Sequence, residues 1–217
     1  MSCAICEKRR EKRFCPAVHG RICSQCCGEQ REVTLDCPSD CVYLEQARIH
    51  EKPRDFSELD RSALFSEIEI PEQFLYERQQ LIMGLSYALA RSARADRSLR
   101  DSDLAAALTS VARRIETLVN SGIHYDQAVA NPVQHSVIAE LQKMLQEYQQ
   151  TEQKHLGYVR LRDSEVLRAL VFLLRMALGR TSGRPRSRAF IDFLLAQFPE
   201  SNRALAGSEA AGSIIVP

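Results

Sequence analysis

The chain is 217 residues long, with 29 Lys and Arg against 28 Asp and Glu and a formal net charge of +1. That length holds one ordinary domain, or a small module joined to a larger one, and excludes a large multidomain enzyme. Near-neutrality excludes a uniformly basic nucleic-acid binder, so any electrostatic function is local. No apolar run reaches about 18 residues, and MSCAICEKRREKRF has no apolar stretch after its charges; neither a membrane span nor a secretory signal is expected, and the expected location is cytoplasmic.

Aromatic residues are 6% and Trp is absent, which suits packed helices better than a β-sandwich. Of the basic residues 24 are Arg and only five are Lys, a bias of GC-rich codons that hints at a bacterium.

All eight cysteines precede residue 42: Cys3, Cys6, Cys15, Cys23, Cys26, Cys27, Cys37 and Cys41. So sharp a break marks a module boundary. In a reducing compartment these are thiols rather than disulfides, and metal is the better account. Cys3-x-x-Cys6 and Cys23-x-x-Cys26 each let two thiolates from one turn reach the same tetrahedral ion. Cys37 and Cys41 form a third pair, with Pro38 as a helix-start signal and YLEQARIHEK as the helix that follows; their thiolates would sit at a helix N-terminus, where the dipole favours them. No βαβ pattern surrounds either CxxC, which removes the redox reading. An iron–sulfur cluster is the alternative, but paired knuckles spread over 39 residues suit separate mononuclear sites better. Fewer than about 45 residues bury too little apolar surface to fold alone, so zinc here is structural.

The order pair, single, pair, pair resembles the cross-brace and treble-clef zinc modules of the RING, MYND and HIT-type families, over residues 3 to about 48. The resemblance implies that the first and third pairs share one ion, held by Cys3, Cys6, Cys23 and Cys26. Site two would then take Cys15, Cys37 and Cys41, with Cys27 or His19 as the fourth ligand; eight thiolates for two Zn ions favours Cys27. The resemblance also implies an interaction surface. CCGEQREV and CPSDCVYL further resemble a bacterial family to which no activity attaches.

Residues 51–69 read as an acidic linker and 70–198 as an all-α bundle of about five helices. Ile70-Pro71-Glu72 opens the first, expected to run to about 95 with Phe74, Leu75, Leu81, Ile82, Leu85 and Leu89 on one face. The second starts at Asp101 or Ser102 as cap, carries Leu104, Leu108, Val111, Ile115 and Leu118, and stops at Gly122. Asn131-Pro132 caps the third, with Val137, Ile138, Leu141, Met144, Leu145 and Tyr148. The fourth, from about Ser164 to Leu178, is apolar round most of its circumference and belongs in the middle, with Gly179 ending it. SRAFIDFLLAQF is the last. The 199–217 tail is small and polar until Ile214-Ile215-Val216-Pro217, and is expected to be disordered.

Enzyme signatures are thin. Glu152-x-x-His155 has di-iron spacing, but no second copy occurs and its surroundings are polar, so a solvated helix end is expected. His124, Tyr125 and Asp126 fall in a loop where catalysis is conceivable, but a turn that tucks Ile123 and Tyr125 into the bundle is the favoured explanation. Between Lys154 and Arg188 nine basic residues face two acidic ones, the largest imbalance in the chain. GRTSGRPRSR, with Arg180, Arg184, Arg186 and Arg188, suits phosphate contact, and its Gly183-Arg184-Pro185 core resembles the minor-groove AT-hook. The bland alternative docks it on the acidic 51–72 stretch, within the chain or across a homodimer. Three functions are therefore weighed: a zinc-binding protein-interaction or scaffold protein, an RNA- or DNA-binding regulator using those arginines, and an enzyme sited in the helical domain. The first is favoured.

Overall fold

The structure, a computed structural model, describes residues 2–52, 54–123 and 131–199, with the backbone alone at Glu58. The His124-Tyr125-Asp126 loop and the tail from 200 lie outside the described residues. Among the described residues the chain is mostly helical, with one two-stranded sheet at its N-terminal end.

The first turn is built around the Cys3-x-x-Cys6 knuckle. The Cys3 N–H donates to the Arg9 carbonyl at 2.8 Å and the Glu7 N–H to the Cys3 carbonyl at 2.8 Å, with Glu7 left-handed at φ 55°. Strand β1 (Arg13–Cys15) then pairs antiparallel with β2 (Gly20–Ile22), Arg13 opposite Ile22. A single 3-10 turn, Pro16–Val18, closes the hairpin, with His19 at φ 48° as its left-handed end. The Ala4 N–H donates to Arg21 and the Lys12 N–H to Ile22, both at 2.9 Å, which lays the knuckle on the hairpin. Helix α1 (Ser24–Gln30) and helix α2 (Val42–His50) complete this head. Its small core is Cys3, Cys15, Ile22, Cys23, Cys26, Cys27 and Leu35, sulfur replacing the hydrocarbon that so short a segment lacks.

The larger core belongs to six helices. They are α3 (Glu72–Glu77), α4 (Gln79–Ala95), α5 (Asp101–Ser121), α6 (Pro132–Leu156), α7 (Asp163–Arg180) and α8 (Ala189–Gln197). Helix α7 buries Val166, Leu167, Ala169, Leu170, Val171, Leu173, Leu174 and Ala177, so it is covered on nearly every side, as the all-round apolar pattern predicts. The helix ends follow local rules. Asn131 accepts from the Val133 N–H at 3.0 Å ahead of Pro132, and Gly122 and Gly157 end α5 and α6 at φ 70° and 79°, a region that costs glycine least.

Three features depart from the sequence reading. The helix expected over 70–95 breaks at Arg78 (φ −111°, ψ 22°), whose buried guanidinium binds the Glu165 carboxylate through three hydrogen bonds of 2.8–2.9 Å. Gly179 lies inside α7 rather than ending it: a Cβ there would meet the Phe56 ring at 2.9 Å. The stretch read as a linker is packed, with Phe65 in the larger core and the Arg175 guanidinium donating to the carbonyls of Leu64, Phe65 and Ile68. No helix among the described residues is long and apolar enough to cross a membrane.

Candidate metal centre

Cys3 and Cys6 project from the first turn, Cys23 is the N-cap of α1, and Cys26 lies one turn into that helix. Their four sulfurs all lie within 4.8 Å of one another. A tetrahedral ion with metal–sulfur bonds of about 2.3 Å holds its sulfurs roughly 3.8 Å apart, so the cluster can hold a metal ion with little movement. The Cys23 N–H donates to the Cys3 sulfur at 3.2 Å and the Cys26 N–H to the Cys23 sulfur at 3.4 Å. The Arg9 guanidinium stands 3.9 and 4.0 Å from the Cys23 and Cys26 sulfurs. Backbone and side-chain donors around four thiolates are the outer support that such a site uses to set charge and orientation.

Crowding these sulfurs splits their acidities. Burial pushes the Cys3 thiol up, but N–H groups of Cys6, Cys23 and Ile5 outweigh it and bring it down to about 6. The Cys26 N–H, against burial and with help from Arg9, also lowers Cys23. Cys26 goes the other way: burial, then the neighbouring Cys23, Cys6 and Cys3 sulfurs, push it up to about 12. A divalent cation removes this conflict by replacing protons with a charge that all four thiolates share.

The remaining cysteines are placed differently. Cys15 ends β1, Cys41 caps α2, and Cys37 lies in the loop between α1 and α2. Burial raises the Cys37 thiol, and the Cys41 and Cys15 charges raise it further against a Glu32 N–H. The Cys27 sulfur faces the Arg13 and Arg31 guanidiniums at 3.6 and 3.9 Å, with Arg13 stacked on the Tyr43 ring at 4.5 Å. His19 is exposed. Among the described residues only Cys3, Cys6, Cys23 and Cys26 are drawn into one group that tight.

Glu152 accepts the N–H groups of Arg160 and Leu161 at 2.9 and 2.8 Å and stands 3.7 Å from Arg78; it closes the turn after α6, while His155 is exposed. The basic loop is engaged within the chain. Arg184 donates to the Gly28 and Arg31 carbonyls at 3.1 and 2.6 Å, Arg186 pairs with Asp36, and Arg188 donates to the Arg97 and Leu99 carbonyls. Arg180 stacks on Phe193 at 3.8 Å. Arg184 and Arg186 thus dock on the head and Arg180 and Arg188 on the bundle, rather than on the carboxylates of 51–72.

Sequence reasoning missed Glu32, which joins the two parts. It is 1% exposed, accepts from Arg48 at 3.0 Å and Ser182 at 2.8 Å, and its carbonyl accepts the Arg186 N–H at 2.8 Å. Arg48 also reaches Asp192 at 2.7 Å. A lone Glu in a loop carries no pattern that could have revealed this. The chain matches no protein-family model, no curated protein and no solved structure.

Proposed function

We propose that the protein is a zinc-stabilised interaction module carried on a helical bundle, with the zinc structural and a protein as its partner. The gathering of Cys3, Cys6, Cys23 and Cys26 carries this reading: four thiolates complete a tetrahedral shell and leave no position open for substrate or water. A knuckle, a hairpin and a ligand pair at a helix N-terminus follow one another in the treble-clef order. A second structural ion is held by Cys15, Cys37 and Cys41, with Cys27 as the fourth ligand, since Cys27 shares the head's core with Cys15 whereas His19 is exposed.

The head also displays apolar side chains that its own fold does not cover. Phe14 is 55% exposed, Val42 58% and Ile49 73%, and the seven-residue spacing of the last two puts them on one face of α2. The nucleic-acid reading has less to draw on, because Arg180, Arg184, Arg186 and Arg188 are each occupied within the chain. The test is cross-linking of the tagged full chain in its native cells, beside a Phe14→Ser/Ile49→Ser variant shown to keep its metal. A defined protein partner lost only in the variant is the expected result. An unchanged partner set, or recovery of nucleic acid alone, contradicts the reading.

A further inference from the structure

Where the head meets the bundle there is a cleft of about 800 Å³, within the range of small-molecule sites. The head contributes Asp36 through Ser39; the bundle contributes Arg94, Arg97, Arg100, Arg186 and Arg188. Five arginines therefore line one concavity with a single acidic residue, Asp36. That carboxylate is divided between two of them, Arg100 reaching one Asp36 oxygen at 2.6 Å and Arg186 the other. The side chains of Arg94 and Arg97 have no hydrogen-bond or ion-pair partner among the described residues.

Other carboxylates close by, Asp96, Asp101 and Asp192, act on the Arg188 charge through space but make their hydrogen bonds elsewhere. Asp96 accepts from the Ser98 N–H and hydroxyl at 2.7 and 2.6 Å, Asp101 from Ser187, Phe190 and Ile191, and Asp192 from Ser39 and Arg48. A low-dielectric wall behind like charges focuses their field into the cleft. Guanidiniums bind phosphate through paired N–H bonds and stack on rings, and Pro38, Ala93 and Leu195 supply apolar wall beside them.

We propose that this cleft binds an organic anion bearing two or more linked phosphates, of the nucleoside-diphosphate class, with Arg94 and Arg97 as its principal free donors and Arg100 and Arg186 sharing it with Asp36. The occupied cleft would set the ligand beside Asp36 of the head, on the two bundle arginines, Arg100 and Arg186, that already hold that carboxylate. This proposal does not depend on the metal's identity or on a protein partner, so either can fail alone.

Isothermal titration of the metal-loaded full chain, at low salt, measures the binding of ADP, of inorganic phosphate and of a short single-stranded oligothymidylate. ADP should bind with a dissociation constant below about 100 μM. Arg94→Gln/Arg97→Gln should weaken it at least tenfold, since each lost charge-assisted hydrogen bond is worth about a factor of ten. The double variant's melt should stay put, because neither side chain has a partner to lose. Lys143→Gln/Lys154→Gln, the same charge change on α6, should leave binding unchanged. Absence of ADP binding, phosphate binding as tightly as ADP, the oligonucleotide binding more tightly than ADP, or equal loss in the α6 variant would each overturn the proposal.

Discussion

Asp101 shows how one side chain can hold two elements. It is the first residue of α5 by position, yet its carboxylate accepts the Phe190 and Ile191 N–H groups at 3.2 and 3.1 Å and the Ser187 hydroxyl at 2.8 Å. It therefore caps α8 across space, which α8 needs because Arg188 offers no side-chain cap. Asp101→Ala should destabilise the bundle by about 2–3 kcal/mol, the cost of buried donors left unpaired, read from denaturant midpoints. Burial raises its pKa above the ordinary carboxylate value, opposed by those same donors. A raised value means that the group's stabilising contribution is present at low pH and is lost as pH rises through the folded value. The wild type's stability relative to Asp101→Asn should accordingly fall as pH rises from about 4, the ordinary carboxylate value, through the higher folded value; melts of both from acid upward check it. Arg78 is a second such residue, and Arg78→Ala should cost on the order of 2–3 kcal/mol, short of the full buried-pair penalty because Glu165 keeps some contact with water.

At the scale of elements the helices follow from pattern and the joints do not. Apolar spacing, Asn131-Pro132 and the two left-handed glycines place α5, α6 and α7 within a few residues, because those signals act inside one segment. The break at Arg78, the continuation of α7 through Gly179 and the packing of 56–68 on α7 are long-range effects. They come from an ion pair 87 residues apart in sequence, an aromatic ring over a glycine, and an arginine that satisfies three carbonyls. The gathering of Cys3, Cys6, Cys23 and Cys26 was the most legible feature, since CxxC spacing is itself the geometry; the Glu32 junction was the least. Because the two apolar cores share no residue, a fragment of 54–199 should fold without the head and show cooperative helical melting. An aggregated fragment would contradict this. Glu32→Gln/Arg184→Gln should loosen the junction while keeping the metal, seen as faster hydrogen exchange in 181–188 with unchanged metal content.

For the whole molecule, near-neutral charge and an internally docked basic loop describe a chain whose two parts are joined by polar contacts, each with its own source of stability. The bundle rests on buried Leu, Val, Ala and Phe; the head has too little of these, and on the proposed reading a bound metal would supply the rest through its sulfurs. Chelation should therefore melt the head and leave the bundle's transition nearly in place, so that the chelated chain gives a single calorimetric event, the bundle's. The measurement that bears most directly on this account is native mass spectrometry of the zinc-loaded chain beside Cys3→Ser and Cys26→Ser. Two zinc ions in the wild type and one fewer in each variant, with the bundle still folded, is the predicted result. A fully folded wild type that takes up no zinc, or variants that keep every ion, would contradict it.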